Sequence, residues 1–373
     1  MQNSSLIVKA YGPSSQRASV PQIISWNVTF MCPLRCGHCY IDAGARKGLH
    51  ELTTREGKTV IDRIAEVSLP ILVLSGGEPL MRRDIFELSS YASERGLRVA
   101  LGTSGTLITD RVAAGMKDAG IRSVAISLDS VDPDLHDSLR GVSGAWEKAV
   151  KGIEAAVGAG IPVQLNAAVG PKNCGEMDAI IDLGKSLGVQ NFQVFFLVPT
   201  GRGKGVEDIS PEMYESVIRT ILEKGKASGI RVRPTCAPQF VRIADEMGIS
   251  NESWGRGCIA GLTYCRIYPT GEVTPCPYLP ISLGNVLSTS FREIWYNSPV
   301  LQGLRNPDML QGKCGRCSYR TVCGGCRARA YGISRRAGDL CGGLDAPQDA
   351  PGEYLGEDPW CLHEPEGTGG GVG

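Results

Sequence analysis

The sequence predicts an α/β fold in which six successive βα units form a parallel barrel or a doubly wound sheet, followed by a small cysteine-rich domain. Three observations carry this. Apolar, β-branched runs alternate with helix-patterned segments from Ile24 to about Pro199. A glycine closes most of the helical segments. The cysteines gather at 32–39 and beyond 257, with only Cys174 and Cys236 between.

The strand segments are Ile24–Thr29, Ile71–Ser75, Arg98–Thr103, Ser123–Asp129, Val163–Val169 and Phe192–Val198. They are nearly continuously apolar, as parallel strands covered by helices are. The helix Thr53–Val67 opens on Thr53-Thr54-Arg55-Glu56, close to a capping box. Asp84–Arg95 stops at Gly96, Asp110–Ala119 at Gly120, Ala145–Ala159 at Gly160 and Met177–Leu187 at Gly188. Glycine there takes the left-handed conformation that ends a helix. Pro211–Lys226 supplies the sixth helix, and Arg231–Pro234 begins a short further strand leading to Cys236. Right-handed crossovers bring the strand C-termini to one end, where sites in such folds are built. The expected divisions are a polar lead-in over 1–20, the α/β core over 21–235, a cysteine-rich domain over 236–362 and a disordered, glycine-rich tail over 363–373. After Trp254 the segments shorten and Gly, Pro and Cys accumulate, the texture of a domain held by metal rather than by a wide core.

Composition excludes several function classes. With 373 residues, 42% of them hydrophobic, the chain can bury a substantial core. Lys plus Arg equal Asp plus Glu at 39 each, so there is no basic footprint for nucleic acid or an anionic membrane. No run approaches the roughly 20 apolar residues that span a bilayer. The polar N-terminus is no signal peptide, and the reading is a cytoplasmic protein. Fourteen cysteines in such a chain point to thiolates kept reduced for metal. A disulfide scaffold suits short secreted domains instead.

The chemistry starts at Cys32-Pro-Leu-Arg-Cys36-Gly-His-Cys39-Tyr40, directly after the first strand. Iron–sulfur cubanes are held by four thiolates, so three on one loop leave one iron open to a ligand bearing an amine and a carboxylate. The second strand ends in Ser75-Gly76-Gly77-Glu78-Pro79. Its glycines permit close backbone approach, and Glu78 offers an acceptor to an ammonium group. Ser104, Ser127, Asp129 and Asn166 are polar groups at otherwise apolar strand ends, suited to a ribose or to strand-end capping. Arg202 and Lys204 follow the sixth strand, placed for a substrate carboxylate or for solvent. The C-terminal cysteines run Cys258-x6-Cys265-x10-Cys276 and Cys314-x2-Cys317-x5-Cys323-x2-Cys326, then Cys341 and Cys361. By spacing alone the C-x2-C pairs also fit a zinc ribbon.

The cysteine loop with Gly76–Pro79 one βα unit later resembles the signature of radical S-adenosylmethionine enzymes. That resemblance implies a partial (β/α)6 TIM-like barrel. It implies a [4Fe-4S] cluster on the catalytic Cys32, Cys36 and Cys39, which passes one electron to S-adenosylmethionine and releases methionine and a 5′-deoxyadenosyl radical. Gly76, Gly77, Glu78 and Pro79 would bind the methionine amine, and Tyr40 would flank the ligands with His38 packed beside them. Ser104, Ser127, Asp129 and Asn166 would contact the nucleoside, Arg140 the carboxylate, and the backbone near Val198 the adenine. The C-terminal run resembles the SPASM extension, departing from it by having two residues between Cys323 and Cys326 where three are usual. This implies two auxiliary [4Fe-4S] clusters, three clusters in all. Cys258, Cys265, Cys276 and Cys326 would hold the nearer one, and Cys314, Cys317, Cys323 and Cys361 the farther. Cys361 is preferred to Cys341 because Pro359-Trp360 can dock before it, whereas Gly342-Gly343 follow Cys341.

Over residues 20 to about 362 the chain resembles the radical enzymes of heme d1 synthesis and of the siroheme-dependent heme pathway. The residues carrying this are Trp26-Asn27-Val28-Thr29, Phe196 to Gly203, Pro234 to Gln239, Gly324 to Ala330 and Asp358-Pro359-Trp360-Cys361. The implied reaction alters tetrapyrrole side chains, by oxidative decarboxylation of iron-coproporphyrin propionates or by removal of acetate groups from didecarboxysiroheme. Arg202, Arg233 and Cys236 are the candidate substrate residues, with Arg242, Arg256 and Arg266 also available to carboxylates. The implied electron donor is a flavodoxin or ferredoxin, with neither nucleic acid nor membrane as partner. A peptide maturase with the same extension is the alternative, against which only about 20 residues precede the core. A non-catalytic zinc-binding scaffold is the remote one.

Overall fold

The computed structural model describes residues 19–44, 49–249, 255–334 and 353–365. Cys341, residues 1–18 of the lead-in and residues 366–373 of the tail lie outside them. Seven strands run parallel in chain order: β1 (Ile23–Asn27), β2 (Ile71–Ser75), β3 (Arg98–Thr103), β4 (Ser123–Ser127), β5 (Val163–Val169), β6 (Asn191–Phe196) and β7 (Arg231–Thr235). The helices over this part are α1 (Thr54–Ala65), α2 (Ile85–Glu94), α3 (Asp110–Asp118), α4 (Pro133–Arg140), α5 (Ala145–Gly158), α6 (Met177–Ser186), α7 (Pro211–Ser228) and α8 (Phe240–Glu246). The strands do not close on one another, since β7 and β1 are not neighbours in the sheet. The fold is the partial barrel that the resemblance implied.

Local chemistry explains the boundaries. Thr53 caps α1 and Glu56 answers it, a complete capping box. Gly96, Gly120, Gly160 and Gly188 each take a left-handed φ between 73° and 84° just after their helices. Strand residues alternate between two faces. Ile24 and Trp26, Leu72 and Leu74, Val99 and Leu101 are fully covered. Trp26 lies against Gly57 of α1, so this is the helix-covered face. The other face carries Ser25, Gln164, Asn166 and Gln193, which are half-buried and polar, and it is the concave one.

The C-terminal part adds β8 (Tyr264–Ile267), β9 (Glu272–Thr274) and β10 (Gly284–Asn285), then α9 (Phe291–Asn297), α10 (Pro299–Arg305), α11 (Gly312–Arg316) and α12 (Arg327–Ser334). β8 pairs in parallel with the free edge of β1, giving one sheet in the order β10-β9-β8-β1-β2-β3-β4-β5-β6-β7. This departs from a domain held by metal alone. Phe291, Trp295 and Val286 share one apolar core with Ile24 and Trp26. Pairing also satisfies the backbone groups that an open edge of β1 would leave bare. Among the described residues no helix is long and apolar enough to cross a membrane.

Candidate active site

The three-cysteine loop leaves the C-terminal end of β1 and is held from four sides. From β2, Gly77 N donates to Thr29 O at 2.8 Å and Glu78 N to Met31 O at 2.7 Å. A Cβ on Gly77 would sit 2.3 Å from Met31 O, and one on Gly76 2.7 Å from Thr29 O. The close approach these glycines permit is therefore to the cysteine loop itself, where the sequence suggested a ligand. From α4, Arg140 O accepts from Arg35 N at 2.9 Å. From the segment after β6, Arg202 Nε donates to Cys36 O at 2.9 Å and Nη1 to Asp42 Oδ1 at 2.8 Å and Ala43 O at 2.9 Å. From β1, Asn27 Nδ2 donates to the Tyr40 hydroxyl at 3.1 Å.

Arg202 thus corrects the expectation of a substrate arginine. Its guanidinium is spent on the loop backbone, because β6 ends directly beside Cys39 and Tyr40. Gly201 is required there: it takes φ 56°, and a Cβ would lie 2.4 Å from Cys39 O. Val198 is core, and its carbonyl accepts from Thr200 Oγ1 at 3.3 Å.

Beneath the loop lies a buried ion pair. Arg140 Nε is 2.8 Å from Asp129 Oδ2, and Arg140 Nη1 donates to Cys36 Sγ at 3.8 Å. Asp129 also accepts from Ala168 N at 2.9 Å through Oδ1, and its own N–H donates to His136 Nδ1 at 3.1 Å. Burial works against the Asp129 carboxylate, but the Arg140 guanidinium beside it holds it below the usual carboxylate range. Burial pushes the His38 imidazole down to about 4, so it is neutral near pH 7. Asp129 and Arg140 were expected to meet the cofactor; the structure turns them toward each other and toward Cys36.

Glu78 is fully buried. Its carboxylate accepts from Thr103 Oγ1 at 2.7 Å, Ser104 N at 2.9 Å, Ser104 Oγ at 2.6 Å and Leu80 N at 3.2 Å. The motif after β2 and the polar end of β3 are therefore one constellation. Ser127 and Asn166 are register partners across β4 and β5, side by side on the concave face. Gln164 Nε2 donates to Asn166 Oδ1 at 2.8 Å and to Gln193 Oε1 at 2.7 Å. A polar ribbon thus lines the inside of the sheet.

The Cys32–Cys39 loop fits an iron–sulfur cluster by its donors. Burial pushes the Cys32 thiol up to about 12, and Cys36, Glu78 and Cys39 add to the rise. A bound cation would offset that cost. Cys39 Sγ accepts from Ala43 N at 3.4 Å. Hydrogen bonds to ligating sulfurs are the protein's lever on such centres.

In the C-terminal part, Cys314, Cys317, Cys323 and Cys361 line one cavity together with Tyr319 and Gly325. Their sulfurs accept from Asp358 N at 3.4 Å (Cys314), Tyr319 N at 3.4 Å (Cys317) and Gly325 N at 3.5 Å (Cys323). No three His, Cys, Asp or Glu among the described residues are gathered as a single-ion site; a cubane spreads its thiolates over four corners. Cys258, Cys276 and Cys326 are mutual electrostatic neighbours. Cys265 stands apart, which corrects its expected place with them. It registers with Ile24 on β8, facing the helix-covered core, and its one charged neighbour is Arg305.

Of the other arginines, Arg242 is paired with Glu215 and Glu246. Arg266 lies over the Tyr268 ring at 3.8 Å and the Tyr40 ring at 4.8 Å. Arg242 is thus committed to carboxylates of its own chain, while Arg266 keeps Nη2 buried without a hydrogen-bond partner. Arg233 Nη2 donates to Arg256 O at 3.1 Å.

A model of the radical SAM superfamily matches residues 26–184, and one of an iron-sulfur cluster-binding domain, SPASM, matches residues 258–327. The chain is 40% identical over 358 residues to the AdoMet-dependent heme synthase of Methanosarcina barkeri, covering 93% of this chain and 98% of that one. The chain belongs to the radical SAM superfamily. It is an enzyme of S-adenosylmethionine and iron–sulfur chemistry. This radical SAM enzyme is also 31% identical over 321 residues to a mycofactocin maturase of Mycobacterium tuberculosis, covering 83% of this chain and 79% of that one. Its fold matches SuiB of Streptococcus suis, solved with S-adenosylmethionine, at a TM-score of 0.70 and 17% identity over 92% of this chain and 78% of that one.

Three residues of this radical SAM enzyme carry contacts to which the sequence assigned no role: Asp358 and Arg329 stood there only within motifs of resemblance, and Tyr278 was not singled out. Asp358 is fully buried, and its carboxylate accepts from Cys326 N at 2.6 Å, Gln239 Nε2 at 2.8 Å and Trp360 N at 3.1 Å. Arg329 Nη1 donates to Tyr214 Oη at 2.9 Å and to Cys236 O at 2.7 Å, and Nη2 donates to Leu197 O, tying the end of the barrel to α12. Tyr278 packs edge-on against Tyr40 with ring centroids 5.5 Å apart. The signal for Asp358 was in plain view, three residues before Cys361, but a lone acidic residue names no partner.

Proposed function

We propose that this radical SAM enzyme oxidatively decarboxylates the propionate side chains of an iron-coproporphyrin in heme synthesis. Its similarity along nearly the whole chain to an AdoMet-dependent heme synthase carries this reading. When bound, the cluster and S-adenosylmethionine together supply reductive C–S cleavage and hydrogen-atom abstraction. Cys32, Cys36 and Cys39 hold the cluster. Arg140 and Ala43 N place donors on its sulfurs, and Arg202 with the Gly76–Gly77 turn fixes the loop. Ser104, Ser127 and Asn166 present polar groups to the nucleoside from the concave face, and Gly76 to Pro79 meet the methionine end. Turning a propionate into a vinyl removes one hydrogen atom, carbon dioxide and one electron. That electron needs an acceptor, a role that two auxiliary [4Fe-4S] clusters held by the C-terminal part, three clusters in all, would fill. Cys314, Cys317, Cys323 and Cys361 hold the farther one. A flavodoxin or ferredoxin supplies the electron that starts each cycle.

Anaerobic incubation with S-adenosylmethionine, a reductant and either iron-coproporphyrin III or didecarboxysiroheme, followed by mass spectrometry, tests the substrate. Loss of carbon dioxide and two hydrogens per propionate is expected. Acetate loss from didecarboxysiroheme would move the reaction one step earlier. Cofactor cleavage with both tetrapyrroles unchanged would turn the reading to a peptide substrate.

A further inference from the structure

The nearer auxiliary cluster needs four thiolates, and Cys258, Cys276 and Cys326 supply three. Cys265 does not reach them. Strand residues alternate between faces. The neighbour of Cys265, Arg266, is the one on the concave face: its guanidinium lies over Tyr40 and donates to Pro277 O, directly after Cys276. Cys265 therefore points the other way, fully buried among apolar groups.

Cys236 is placed differently. It follows β7 at the barrel's last strand and is one of two non-glycine residues among those described with positive φ, at 60°. An L-residue holds that conformation only where its surroundings impose it. Here its carbonyl accepts from Tyr214 Oη at 2.8 Å and from Arg329 Nη1 at 2.7 Å. Arg329 belongs to the helix that begins directly after Cys326. Burial pushes the Cys236 thiol up, and Cys326, Cys276 and Cys258 are the thiols that add to the rise. The same three cysteines that lack a partner in Cys265 are thus the neighbours of Cys236.

We propose that Cys236, not Cys265, is the fourth thiolate of the nearer auxiliary cluster. This rests on the reading that the C-terminal cysteines bind two cubanes. The site is then built by both parts of the chain, the barrel's last strand giving one ligand and the C-terminal part three. Closing the cluster with four thiolates also leaves no iron open to substrate, so its role is electron transfer and not substrate binding.

The test uses full-length protein in which Cys32, Cys36 and Cys39 are replaced by Ala, so that only auxiliary iron is counted. Iron, sulfide and the Mössbauer and EPR spectra are measured after anaerobic reconstitution. Into this background go Cys236→Gly and Cys265→Ala. Glycine suits φ 60° without strain, so Cys236→Gly removes the thiolate while leaving the backbone at ease. The background protein should hold about eight iron per chain, two cubanes' worth. Cys265→Ala should keep that number and the spectra. Cys236→Gly should lose up to half the iron or convert one cubane to a three-iron form, and a small added thiol should restore the four-iron signal. Full retention of both cubanes in Cys236→Gly would overturn the proposal, as would their loss in Cys265→Ala. Absence of auxiliary iron in the background protein itself would overturn the underlying reading instead.

Discussion

Arg140 and Asp129 form an ion pair of 2.8 Å beneath the three-cysteine loop, both almost cut off from solvent, and the same guanidinium donates to the Cys36 sulfur. The pair couples the end of β4 to the cluster loop, so the loop's sulfur meets a positive charge already oriented by a carboxylate. Removing one partner of a buried pair strands the other charge and costs about 3–5 kcal/mol. Asp129→Ala should therefore lower the thermal midpoint markedly and deplete iron from the loop cluster. Calorimetry and iron analysis on the same preparation check both.

Arg202 is the second test of the loop. With its three hydrogen bonds to Cys36 O, Asp42 and Ala43 O removed, Arg202→Ala should fold but hold the loop cluster poorly. Arg202→Lys should not restore it, because one ammonium cannot reproduce the planar fork. A variant with full iron and a raised KM for the porphyrin would show that this arginine serves substrate after all.

Gly77→Ala forces a Cβ to within 2.3 Å of Met31 O. Neither backbone can yield without moving the cysteine loop, so cofactor cleavage should fall by at least about 100-fold, as a 1 Å misplacement can cost. Gly158→Ala, where a Cβ meets nothing within 4 Å, is the control and should be silent.

The sequence told most about elements whose signals are local. Strand runs such as Ile71–Ser75 and the glycine stops after helices are set by neighbours along the chain, and the structure has them where they were expected. Cys32–Cys39 stood out as a motif because its spacing is local, whereas Gly76–Pro79 was read through the family resemblance, and the structure sets its glycines against the cysteine loop. What failed needed register. The pairing of β8 with β1 joins residues some 240 apart, and without that strand the parity that turns Cys265 away from Cys276 has no expression in the sequence. Arg140 and Arg202 looked like ligand residues because an arginine near a site reads the same whether it faces a substrate or a backbone carbonyl.

A pH dependence follows from His136. Burial and Arg140 lower its pKa to about 4, and its Nδ1 accepts the Asp129 N–H. The unfolded chain, at about 6.5, takes the proton first. Stability is thus complete above about pH 6.5 and is lost as pH falls toward 4, by roughly 2–3 kcal/mol at about 1.4 kcal/mol per unit. Denaturant melts across that range should show the loss in the parent protein and a flatter profile in His136→Gln.

The most direct measurement follows a hydrogen atom. Iron-coproporphyrin deuterated on the propionate carbon next to the ring is incubated anaerobically with the enzyme, S-adenosylmethionine and a reductant, and 5′-deoxyadenosine is analysed by mass. One deuterium in the 5′-deoxyadenosine for each propionate converted, and none with Cys36→Ala, is the predicted result. Unlabelled 5′-deoxyadenosine beside an unchanged porphyrin would contradict the account.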